Sequence, residues 1–196
     1  MVGAVVLAAG RSSRMGAFKP MLPLGGDSIA RRVVRTLRKG GAERIVVVTG
    51  RNARDLQAHL EGLDVRFVHN AQYQQTQMLD SVKLGLAPLL GCCGRILITP
   101  VDAPLFAPET VERLLAQEGE IVIPVCGGRD GHPVCVGKSV GEEILRYDGE
   151  GGLRGALQGA AFPAARIEVA DAGILTDVDT PEDYQAVLRR LAQPRA

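Results

Sequence analysis

The chain has 196 residues, of which 46% are hydrophobic, 24 are glycine and only 4% are aromatic, with no tryptophan. At about 150 residues per domain, that length supports one domain with a substantial core. Its 23 lysines and arginines balance 22 aspartates and glutamates for a formal net charge of +1, so no global field holds it on nucleic acid or an anionic membrane, and few aromatics are available for stacking single strands.

An apolar run from Met1 to Ala9 opens the chain without a basic leader and gives way at once to charged residues, so no secretory signal is expected. No stretch approaches the ~18 continuous apolar residues that span a bilayer. The expectation is a cytoplasmic protein with residues 1–196 forming one domain and with no nucleic-acid or membrane partner. Short β-branched runs follow at Val5–Leu7, Ile45–Thr49, Val65–Val68, Ile96–Thr99 and Ile121–Ile123. Runs this continuous suit strands buried on both faces of a parallel sheet. Helical patterns lie between them, carried by Ile29, Val33, Val34 and Leu37, by Leu79, Val82, Leu86 and Leu90, and by Val111, Leu114 and Leu115. The alternation predicts an α/β fold, three-layer α/β/α and Rossmann-like. After the turn-rich Gly127-Gly128-Arg129-Asp130-Gly131, the run Pro133–Val136 comes too soon for a crossover helix. It should return antiparallel or at an angle, making the sheet mixed but mostly parallel. Thr180-Pro181-Glu182-Asp183 reads as a cap and first turn, with Tyr184, Val187, Leu188 and Leu191 as the buried stripe of a last helix. The four cysteines lack CxxC spacing, so Cys92, Cys93, Cys126 and Cys135 read as core thiols. The tail from Gln193 to Ala196 reads as frayed.

The most informative stretch is Leu7-Ala8-Ala9-Gly10-Arg11-Ser12-Ser13-Arg14-Met15-Gly16-Ala17-Phe18-Lys19-Pro20, directly after the first strand. Open α/β sheets bind ligands at the carboxyl ends of their strands. Small residues let several backbone N–H groups converge on one anion, and Arg11, Arg14 and Lys19 add cations. The loop is built to hold phosphates. It is not a Walker A loop, because Lys19 precedes Pro20 rather than Ser or Thr, and Gly10 and Gly16 are too far apart for GxGxxG.

This stretch, with Lys19-Pro20 and Leu22-Pro23-Leu24-Gly25-Gly26, resembles the signature of nucleotidyltransferases of the molybdenum cofactor type. It is most similar to the cytidylyltransferases among them, since the guanylyl branch usually has glycine where Ala9 stands. Thr99-Pro100-Val101-Asp102-Ala103-Pro104, Gly131-His132-Pro133-Val134, Asp148–Arg154 and Thr176–Asp183 extend the similarity. A departure lies at Gln74–Ser81, where Gln77 stands in place of a common glycine and Asp80 adds a charge.

The resemblance implies the nucleotide-diphospho-sugar transferase type of fold and a nucleoside triphosphate as donor, CTP by preference. A molybdopterin-type cofactor would be the acceptor and a molybdenum hydroxylase a client. It implies attack of a substrate phosphate on the α-phosphorus with release of pyrophosphate, helped by Mg²⁺. Leu7, Ala8, Ala9, Gly10, Arg11, Ser12, Ser13 and Gly16 would bind the nucleotide together with Ser81 and Asp102, while Lys19 and Arg14 would neutralise the transition state. Asp102 and Asp179 are expected to hold the metal, with Asp177 in reserve, because Mg²⁺ prefers one or two carboxylates completed by phosphate and water. Ser81 either contacts base or ribose or caps its helix. His132 either packs or faces the substrate, and Arg154 is a candidate acceptor-phosphate contact. His59 and His69 read as structural, and Arg31, Arg32, Arg35, Arg38 and Lys39 as a solvated helix face. The scarcity of aromatics points to base recognition by backbone and small polar groups. Transfer to a sugar or another small phosphate, use of GTP, and a cofactor-delivery module without transfer activity are the competing readings. A nicotinamide-dependent reductase fits poorly, because the glycine spacing is wrong.

Overall fold

The computed structural model describes residues 1–10 and 15–192. Strand β1 (Val2–Ala8) leads to a 3-10 turn at Lys19–Met21, a hairpin of β2 (Pro23–Leu24) and β3 (Asp27–Ser28), and helix α1 (Ile29–Lys39). There follow β4 (Arg44–Thr49), α2 (Ala53–His59), β5 (Arg66–His69), α3 (Met78–Leu86), β6 (Arg95–Pro100), α4 (Pro108–Ala116) and β7 (Ile121–Cys126). The remainder holds β8 (Arg129–Asp130), β9 (Val134–Gly137), α5 (Lys138–Arg146), α6 (Gly152–Gly159), β10 (Ala164–Glu168) and α7 (Pro181–Ala192).

The main sheet runs β10-β7-β9-β6-β1-β4-β5, with β8 paired to β7. β1 lies parallel to both β4 and β6, and β4 parallel to β5. β9 is antiparallel to both β6 and β7, as its short connection from β7 requires. Strand alternation splits the core in two. Ala4, Val6, Ile45, Val47 and Leu97 face α1, α4 and α7. Val5, Val46, Val48, Ile96 and Ile98 face α3, α5 and α6. Each fully buried aliphatic side chain contributes about 1.5–3 kcal/mol relative to exposure, and the two faces together make the expected three layers.

Several local expectations change. β5 is an edge strand and half-exposed rather than buried on both faces. α3 stops at Leu86, and a following turn carries Leu89 and Leu90 onto the same core. Helices α2, α5 and α6 and strand β10 carry too few buried apolar residues, or too many glycines, to stand out in the pattern. Cys93 and Cys135 are buried, but Cys92 is exposed, and all four cysteines are free thiols. The arginines of α1 are more than a solvated face. Arg31 donates to the His59 carbonyl at 2.7 Å, Arg32 to Pro104 at 3.2 Å and Arg38 to Glu43 at 2.6 Å. They tie the helix to its neighbours, leaving Arg35 and Lys39 exposed. Thr180 caps α7 as expected, accepting from the Asp183 N–H at 3.2 Å while the Asp183 carboxylate accepts from the Thr180 N–H at 2.8 Å. The tail from Gln193 onward lies outside the described residues.

Candidate functional site

Two backbone hydrogen bonds gather distant segments at the carboxyl end of the sheet. The Val101 N–H donates to Leu7 at 3.0 Å, joining the ends of β1 and β6, and the Val178 N–H donates to Asp102 at 2.8 Å. Asp102 is thereby held beside the segment carrying Asp177 and Asp179. Lys19 heads the 3-10 turn, fixed by Pro20 behind it, and is only 7% exposed. Its ammonium donates to Asp179 Oδ1 at 2.8 Å and lies 3.6 Å from Asp102 Oδ2. Burial raises the Asp102 carboxyl above the ordinary carboxylate range; Lys19 opposes the shift and Asp179 adds to it. Asp177, although exposed as a residue, is pushed up to about 6 by partial burial of its carboxyl and then by the charges of Asp102 and Asp179. Three carboxylates thus share one neighbourhood with the Lys19 ammonium.

A cavity of about 190 Å³ opens against this group. Leu7, Ala8, Ala9 and Gly10 line it together with Lys19 and Asp102, and Tyr73, Thr76, Gln77 and Ser81 contribute further lining. Gly50 lets the segments of Ala9 and Tyr73 approach, since a Cβ there would lie 2.7 Å from the Ala9 carbonyl oxygen and 2.8 Å from the Tyr73 ring. The cavity therefore brings together Leu7–Gly10, Lys19, Ser81 and Asp102, all candidate site residues from the sequence. Gly16 is exposed and away from its lining, with φ of 66°. Asp179 meets the cavity through Lys19, and Asp177 lies outside the lining. Arg11, Ser12, Ser13 and Arg14 lie outside the described residues.

The lining residues from Tyr73 to Ser81 revise two expectations. Ser81 is not a cap, because α3 begins after Gln77, whose N–H donates to Asp80 Oδ2 at 2.8 Å. The extra charge of Asp80 is thus a helix-start contact. Tyr73 supplies an aromatic surface that the low aromatic content concealed.

A second cleft of about 930 Å³ adjoins the first, with Met78 in the lining of both. The candidate residues His132 and Arg154 both line it, beside Leu153, Leu157 and Phe162. The backbone N–H of His132 donates to Ile174 at 3.0 Å, and its buried Nδ1 has no partner among the described residues. Burial lowers its pKa to about 4, so the ring is neutral at pH 7. Arg154 is exposed and has no acidic partner among the described residues. At the rim, Arg166 is bound to Asp130 by two hydrogen bonds of 2.9 and 3.1 Å. His59 and His69 are structural: His59 Nε2 lies 2.7 Å from Ser28 Oγ, and His69 Nδ1 lies 3.4 Å from Thr49 Oγ1.

Among the described residues, no three His, Cys, Asp or Glu side chains converge as a ready metal-binding group. Asp102 and Asp179 offer a different arrangement, in which two hard carboxylate donors already embrace a cation, the Lys19 ammonium. That donor set fits Mg²⁺, which takes its remaining ligands from phosphate and water.

The model of the MobA-like NTP transferase domain matches residues 4–169. The Escherichia coli molybdenum cofactor cytidylyltransferase is 27% identical over 196 residues, covering 98% of both chains. The bifunctional protein GlmU of Geotalea uraniireducens is 39% identical over 119 residues, 59% of this chain, and that match spans only 26% of the longer protein. A nucleotidyl transferase from Methanothermobacter superposes with a TM-score of 0.85 at 26% identity, covering 97% of each chain. A Mycobacterium tuberculosis protein solved with manganese superposes at 0.76 and 26% identity, over 96% of this chain and 98% of its own.

Proposed function

Since the chain belongs to the MobA-like NTP transferase family, it is a nucleotidyltransferase, and we propose that it transfers CMP from CTP to the phosphate of a molybdopterin-type cofactor. The observation carrying this reading is the buried Lys19 ammonium between Asp102 and Asp179, facing a cavity walled by the end of β1. An oxygen of the acceptor phosphate attacks the α-phosphorus, the bond from that phosphorus to the bridging oxygen breaks, and pyrophosphate leaves with the electron pair. The barrier comes from bringing anions together and from spread charge, so positioning and cations dominate over a strong base.

Small residues at Ala8, Ala9 and Gly10 let the triphosphate approach the backbone closely, and Arg11, Ser12, Ser13, Arg14 and Gly16 are proposed to bind the nucleotide with them. Lys19 leaves its carboxylate partners for the phosphates and neutralises the charge that builds there. Asp102 and Asp179 would hold Mg²⁺, with Asp177 next to them, and the metal would supply charge neutralisation for the triphosphate. The larger cleft takes the acceptor, with the exposed Arg154 turned to its phosphate and the neutral His132 ring against its body. Residues 1–196 work as one transfer domain in the cytoplasm, and a molybdenum hydroxylase is the natural client of the product. No helix among the described residues is long and apolar enough to cross a membrane.

The cytidylyl choice rests on Ala9 and on the similarity that runs through 98% of the E. coli relative. Pyrophosphate release with Mg²⁺, isolated cofactor and each of CTP, GTP, ATP and UTP tests it. Release fastest with CTP is expected. Faster release with GTP would overturn the base assignment, and tight cofactor binding without release would favour a delivery module.

A further inference from the structure

We propose that Asn70 is a positioning residue of the nucleotide site, one whose amide turns the Ser81 hydroxyl into an obligate hydrogen-bond donor toward the nucleoside. The proposal rests on the nucleotide reading of the smaller cavity. Asn70 directly follows β5, is 3% exposed, and anchors its own N–H on the Thr49 carbonyl at 2.8 Å. Its Oδ1 accepts from the Gln72 N–H at 3.0 Å. A backbone N–H can only donate, so this bond fixes which end of the amide is oxygen. The two hydrogens of Nδ2 then point the other way, to Thr76 Oγ1 at 2.9 Å and Ser81 Oγ at 3.1 Å.

Both hydroxyls therefore receive a hydrogen from Asn70 and must pass their own proton elsewhere. Thr76 passes its proton to the Gln72 carbonyl at 3.0 Å, closing the loop onto itself. Ser81, 5% exposed on α3, has no protein acceptor for its proton among the described residues. Ser81 lines the cavity together with Thr76, Tyr73 and Gln77. A buried hydroxyl oriented this way favours a ligand that presents an acceptor atom, a carbonyl oxygen, ring nitrogen or ribose oxygen, and disfavours one that presents an N–H. Asn70 thus sets the polarity of a contact it does not itself make.

The test uses the full chain and measures KM and kcat for the preferred nucleoside triphosphate, with melting temperature as a folding control. Asn70→Ala, Asn70→Asp, Ser81→Ala and the two double variants are compared. The aspartate keeps the Gln72 bond but replaces the donor by an acceptor, so the Ser81 proton turns back into the protein. Expected is a rise in KM of about tenfold for each single variant, the usual effect of one lost hydrogen bond to a ligand, with a much smaller change in kcat. Ser81→Ala should then add nothing on either Asn70 background. Effects that multiply, or an Asn70→Asp protein with wild-type KM and melting temperature, would overturn the proposal. Should Asn70→Ala fail to fold, the isosteric aspartate carries the same comparison. Wild-type protein that binds no nucleoside triphosphate would refute the underlying reading as well, whereas wild-type binding with additive variants refutes the role of Asn70 alone.

Discussion

Acidification should destabilise this protein through His132, and replacing that residue should remove the effect. Burial holds the folded pKa near 4 against an ordinary 6.5. Between those values the unfolded chain binds the proton and the folded chain does not. Stability from this residue is therefore complete above pH 6.5, falls as the pH drops toward 4, and levels off below. At 1.36 kcal/mol per pKa unit the whole effect is about 3 kcal/mol, of which about 2 kcal/mol is lost by pH 5. Asp177 works in the opposite sense. Its carboxyl is raised from 3.8 to about 6 in the fold, so the folded state binds its proton first and gains stability as the pH falls through that window. Total stability mixes the two, and the informative quantity is the difference between wild type and His132→Gln at each pH. Urea unfolding at pH 7.5, 6, 5 and 4.5 should give a wild-type advantage that shrinks steadily, by about 2.5 kcal/mol in all. Parallel curves across that range would refute the burial of a neutral ring at this position.

Lys19→Ala should lower kcat by roughly 10²–10³, the usual effect of removing one charge-stabilising group, as read by pyrophosphate release. Lys19→Gln frees Asp102 and Asp179 from an ammonium, so Mn²⁺ titrated without nucleotide and followed by electron paramagnetic resonance should bind on the order of tenfold more tightly. Asp102→Asn should weaken CTP binding in the presence of Mg²⁺ by about tenfold or more and leave metal-free binding much less affected, which calorimetry with and without chelator resolves. Gly85→Ala would put a Cβ 2.4 Å from Val5 Cγ1 and 2.9 Å from Val48 Cγ2, pushing α3 off the sheet at a loss of about 1–3 kcal/mol in urea unfolding.

The sequence alone determined whatever depends on neighbours in the chain. The continuous apolar runs of β1, β4, β6 and β7 announce strands covered on both faces, and the turn-rich stretch before Pro133 leaves no room for a helix, so β9 had to reverse. Thr180 and Asp183 stand at cap spacing, and the run from Leu7 to Lys19 carries the small and basic residues on which the proposed phosphate loop rests. Tertiary structure decided what joins remote segments. Lys19 and Asp179 meet across 160 residues, and Asp177 becomes unusually basic because packing partly buries its carboxyl and then brings Asp102 and Asp179 beside it. The arginines of α1 find backbone carbonyls that no local pattern reveals. Tyr73, Thr76 and Ser81 become one wall because Asn70 lies between their segments. Periodicity records which side of an element is apolar. Which polar atoms it meets, and which way their protons point, is fixed only when the segments pack and each buried donor must find an acceptor.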